Sequence, residues 1–215
     1  SHVIVILLLC KFILGRALTV CSEDQIQKLF NFVKNPKSPP EQAFLITLVL
    51  FFGLTTEDLI FARLSVDPEG LSVILRRKPR TRGRLYYNRD QSLRLPGQPS
   101  WMFELQRRFY KNWLAHYGQV KKTYPQYQLF LPYHNHYNRP IGQDALVKRM
   151  RRATKAATGM VIAIRVLRQT CGHIYSRNQD ASLLTHMGWS PQFAFHYTWL
   201  PRRYFSEEKS PTIIK

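Results

Sequence analysis

Three residues near the carboxyl end could take part in phosphate chemistry. They are Arg168 in VLRQTCGHIY (166–175), and Trp189 and Tyr197 in GWSPQFAFHYTW (188–199). A guanidinium presents a rigid fork of donors that matches phosphate oxygens, and a tyrosine oxygen can serve as a nucleophile. More cations lie upstream in RRKPRTR (76–82): Arg76, Arg77, Lys78, Arg80 and Arg82, with Lys78 the only lysine in a turn otherwise built of arginines. Each has a plainer reading when taken alone. An arginine on a helix is more often ion-paired or solvated, and charge at a hairpin tip is usually solvated. Tyr197 stands among Phe193, Phe195, His196 and Trp199, so a place in the core suits it equally well. The two histidines of YHNHY (133–137) have no third ligand near them in sequence, so neither a metal nor another cofactor is expected.

Composition narrows the class of partner. The 215 residues are 45% hydrophobic and 13% aromatic, which is a folded chain rather than a disordered tail. Thirty-two Lys and Arg against thirteen Asp and Glu leave a formal charge of +19. Such an excess repels itself unless a polyanion compensates it. Nucleic acid is the first candidate, because neutralised phosphates release counterions. An anionic membrane surface is the second, and a solvated basic surface the bland alternative. Cys10, Cys21 and Cys171 are odd in number and form no CxxC pair, which favours a reducing compartment and argues against a disulfide framework or zinc. The apolar run 3–15 is interrupted by Lys11 and too short to span a bilayer. No basic residues precede it as in a signal peptide, so a buried or partner-covered helix is expected there.

The elements that must carry these residues are mostly helical. Residues 22–33 open with a capping-box pattern, Ser22 and Gln25, and then place Ile26, Leu29, Phe30 and Val33 on one face. Residues 41–53 read as a helix in mid-core ended by Gly53, and 57–64 as a short helix capped by Thr55 or Thr56. Residues 71–77 and 83–89 read as two strands joined by the basic turn. A helix over 101–117 spaces Met102, Leu105, Phe109 and Trp113, and a polar, aromatic loop to about 140 follows it. Residues 143–157 form a helix whose exposed side would carry Lys148, Arg149, Arg151, Arg152 and Lys155 to phosphates. Two more helices are expected over 164–177 and 180–188, and a last one from Ser190-Pro191. The fold class is mainly α with a small antiparallel β-sheet (α+β).

In this order the pieces resemble the catalytic domain of the tyrosine recombinases, the phage-integrase family, over roughly residues 17–200. LVLFFGLTTEDLIFARLSVD (48–67) is similar to the family's first box, an apolar helix followed by Gly-Leu-Arg, an acidic residue and Leu-x-x-x-Arg. LSVILRRKPRTRGR (71–84) resembles the hairpin that bears the catalytic lysine. RVLRQT (165–170) resembles the His-x-Leu-Arg-His-Thr box, and LLTHMGW (183–189) the Leu-Leu-Gly-His box. The resemblance implies site-specific DNA strand exchange through a 3′-phosphotyrosine, without metal or ATP. It makes Tyr197 the nucleophile, Arg168 the second-box arginine, Lys78 the general acid and Trp189 the residue at the His/Trp position. It also implies double-stranded DNA as partner, assembly of subunits on DNA, possibly with a second recombinase, and a cytoplasmic, DNA-associated location with no membrane.

Two positions depart from the pattern. Thr55 stands where the first-box arginine belongs, and a hydroxyl cannot supply a charged clamp. Arg165 stands where the second box has His, and it is expected to restore part of the missing charge. The alternative is a catalytically impaired accessory protein that binds DNA on the same fold. The organisation expected is an apolar segment 1–16, a catalytic domain 17–203 and a tail 204–215. Only a remnant would then precede the catalytic part, where the family has a core-binding domain, and the tail would dock on a neighbouring subunit.

Overall fold

The structure, a computed structural model, describes residues 18–67, 70–75, 91–93, 99–123, 129–130, 141–177 and 202–206. Helix α1 (Glu23–Lys34) begins with the expected capping box. The Ser22 hydroxyl accepts from Gln25 N–H, and the Gln25 side chain accepts from Ser22 N–H. Helix α2 (Pro40–Leu50) is apolar on every side, and Ala43 to Leu50 are all buried. Such a helix has no polar face to offer water, so it takes the centre of the core. It packs against α1, α4 (Ser100–Thr123), α5 (Gln143–Thr158) and α6 (Ile164–Arg177). Phe44 meets Phe109 of α4 with ring centroids 4.4 Å apart. Met102, Leu105, Phe109 and Trp113 are buried along one face of α4, as their spacing predicts.

Past α2 the chain turns at Gly53, whose φ of 63° is one that side chains with a Cβ rarely adopt. Gly53 N–H donates to Val49 O and Leu54 N–H to Leu48 O, which closes the helix. Thr55 then caps α3 (Thr56–Phe61).

Here the structure differs from the sequence reading. The chain leaves the helix at Phe61, and Ala62–Asp67 form strand β2 rather than a last helical turn. Ala62, Leu64 and Val66 alternate in sequence with Arg63, Ser65 and Asp67, a period of two that outweighs the helical reading. β2 pairs antiparallel with β3 (Gly70–Leu75), from Ala62↔Leu75 to Asp67↔Gly70, and β3 pairs with β4 (Gln91–Leu93). The strand expected over 83–89 lies outside the described residues. So do the helices expected over 180–188 and from Ser190, and the apolar run 3–15.

A second small sheet was not anticipated. β1 (Leu18–Val20) runs parallel to β5 (Arg202–Tyr204), so both ends of the described chain meet in one place. Among the described residues no helix is long and apolar enough to cross a membrane.

Candidate functional site

The turn after α2 and the face of α6 come together. Arg168 Nε donates to Gly53 O at 3.0 Å, two residues before Thr55. Two turns further along α6, Tyr175 Oη donates to Phe51 O at 2.9 Å. These two bonds pin α6 to the end of α2 and place Arg168 beside the turn 53–55. Two segments more than a hundred residues apart in sequence thus share one corner of the fold. Sequence reasoning gave Gly53 the part of a helix terminator and, by resemblance, of the first box's Gly-Leu pair. Its carbonyl as an anchor for Arg168 carries no signal in sequence.

Thr55 is occupied as a helix cap. Its hydroxyl accepts from Asp58 N–H at 3.1 Å, and the Asp58 carboxylate accepts from Thr55 N–H at 3.0 Å. The reciprocal pair satisfies two donors at the start of α3. Arg165 is exposed in the first turn of α6, one turn before Arg168. A cation there opposes the helix macrodipole, so it adds nothing to helix stability and favours a nearby anion. Cys171 is fully buried next to Arg168. Burial pushes its thiol well above the usual range, and the positive charge of Arg168 offsets this only in part. The sulfur therefore stays neutral and adds no negative charge beside the guanidinium.

On α5, Lys148, Arg151, Arg152 and Lys155 are exposed. Arg149 is a correction. It is 6% exposed, and its Nη1 lies 2.7 Å from the Glu41 carboxylate in the first turn of α2. It cannot belong to a solvent-facing phosphate surface. The physical reason is helical spacing: Arg149 stands three residues after Leu146 and four before Ala153, on the same buried face as Met150. That pattern was present in the sequence and was overridden by the residue's charge.

Arg76, Arg77, Lys78, Arg80, Arg82, Trp189 and Tyr197 lie outside the described residues, as does the segment 133–137. Among the described residues no three His, Cys, Asp or Glu side chains gather into a metal-holding group.

The sequence matches no family model and no curated protein. The fold does have relatives. It is similar to the crystal structure of XerA recombinase, with a TM-score of 0.57 at 18% identity, over 86% of this chain and 60% of that one. It is also similar to a lambda integrase dimer bound to a COC′ core site, with a TM-score of 0.50 at 14% identity, over 90% of this chain and 51% of that one. The chain thus spans between half and two thirds of the length of these proteins. At such low identity the likeness is one of fold: a mainly helical chain folded like the tyrosine recombinases XerA and lambda integrase.

Proposed function

We propose that this chain cuts and rejoins DNA through a 3′-phosphotyrosine formed by Tyr197. The observation that carries the reading is the bond from Arg168 to Gly53 O, which seats a guanidinium at the turn 53–55, within the segment that resembles the recombinases' first box. In this reading Arg168 and Arg165 stabilise charge on the non-bridging phosphate oxygens. Lys78 protonates the departing 5′ oxygen, and Trp189 donates a hydrogen bond to the phosphate or helps place Tyr197. The exposed cations of α5 and the cluster Arg76, Arg77, Arg80 and Arg82 hold the duplex through its backbone, which positions without specifying sequence. Without a guanidinium at Thr55 the chemical step is slowed by roughly 10²–10³.

A second reading, an accessory DNA-binding protein, is favoured by one observation: the Thr55 hydroxyl is already engaged as the cap of α3. Covalent trapping separates the two. The protein is mixed with nicked duplexes of randomised sequence, denatured and scored for linked DNA. An adduct that disappears in Tyr197→Phe supports strand cutting. Salt-sensitive binding with no adduct, and an adduct only after Thr55→Arg, supports the accessory reading.

A further inference from the structure

We infer that Gln25, Gln169 and Thr170 are positioning residues that clasp the carboxyl-terminal strand β5 to the helix carrying Arg168. Strand β1 is the spacer between them, and each of its edges is used. On one edge Thr19 N–H donates to Gln169 Oε1 at 3.0 Å and Cys21 N–H to Thr170 Oγ1 at 2.9 Å. Residues two apart on a strand point their amides the same way, so these two bonds present one edge to α6. On the opposite edge β1 pairs with β5, and Phe205 N–H donates to Val20 O at 2.7 Å. Gln25 closes the arrangement from α1. Its Oε1 accepts from Ser22 N–H at 2.8 Å, while its Nε2 donates to Phe205 O at 3.3 Å.

Gln169 and Thr170 directly follow Arg168, and Tyr197 precedes Arg202 by five residues. Five residues span at most about 18 Å of extended chain. Fastening β5 to α6 therefore limits how far Tyr197 can stand from Arg168. This consequence rests on the proposed function, whereas the clasp itself does not.

Gln25→Glu is the selective variant. A carboxylate still accepts from Ser22 N–H and keeps the α1 cap, but it has no donor for Phe205 O. Thr170→Val removes the acceptor for Cys21 N–H, and Thr170→Ser retains it. Two quantities are measured on the full chain: amide exchange at Arg203 and Phe205, whose N–H groups face β1, and the rate and half-saturating DNA concentration of adduct formation on nicked randomised duplexes. In Gln25→Glu and Thr170→Val, exchange at β5 is expected to quicken roughly tenfold while α1 and α6 keep their protection. The adduct rate at saturating DNA falls by a similar factor, the half-saturating concentration is unchanged, and Thr170→Ser behaves as wild type. Unchanged exchange at β5 overturns the clasp, and faster exchange with an unchanged adduct rate overturns the positioning role. Loss of protection across α1 and α6 together with weaker DNA binding assigns these residues to general stability and also overturns it. If wild-type protein forms no adduct, the reading of Tyr197 as nucleophile falls, and the exchange result alone decides the clasp.

Discussion

Arg149 on α5 and Arg168 on α6 both reach α2, one at each end. Arg149 meets the Glu41 carboxylate at 2.7 Å in the first turn of that helix, and Arg168 meets the Gly53 carbonyl at 3.0 Å beyond its last turn. A carboxylate cancels a guanidinium's charge, whereas a neutral carbonyl orients it without doing so. Both arginines hold helices together, and in the proposed function only the one seated on a neutral carbonyl also meets a phosphate. The neutral thiol of Cys171 beside Arg168 points the same way.

The contrast can be broken most sharply at Arg168. Arg168→Lys keeps a cation but loses the planar fork, and the adduct rate is expected to fall roughly 10²–10³-fold with little change in thermal midpoint. An equal loss from Arg149→Met would erase the distinction. Arg149→Met is expected instead to cost about 1.5–3 kcal/mol in denaturant unfolding, because Glu41 loses a charged hydrogen-bond partner, while DNA affinity holds.

Alkaline unfolding sharpens the point about the thiols. Burial raises the Cys21 thiol from 9.0 to about 11, with the Thr170 hydrogen bond lowering it somewhat, and Cys171 is raised further. The folded state thus holds protons that the unfolded state releases above pH 9. The stabilisation is complete below that pH and is lost as pH rises through the folded values. From pH 9 to 10 wild type should lose about 1 kcal/mol per buried thiol more than Cys21→Ala/Cys171→Ala does. Parallel curves would show that the thiols are not held neutral. The smallest effect is expected on α5, where Arg152→Gln should reduce the slope of log affinity against log salt by about 0.9. A matching change in Arg149→Met would return that residue to the phosphate surface.

Much of the helical framework was legible because its signals are local. The Ser22–Gln25 capping box, the largely apolar α2, the Met102–Trp113 face and the bounds of α6 at 164 and 177 can all be read within a few turns of chain. Strand β2 was misread because the run Leu59, Ile60, Phe61 and Ala62 suits either period, and the alternation begins only at Ala62. Strands β1 and β5 left no trace, since three residues give too short a pattern and their pairing spans most of the chain.

By itself, then, the sequence determined what local periodicity and charge can express: which segments coil, which faces are apolar, and that the chain carries a formal charge of +19. Tertiary structure alone decided which cation meets which partner. Charge looks the same on Arg149 and Arg168 until folding brings a carboxylate to one and a carbonyl to the other. Those partners stand more than a hundred residues away along the chain, at a separation no local pattern encodes.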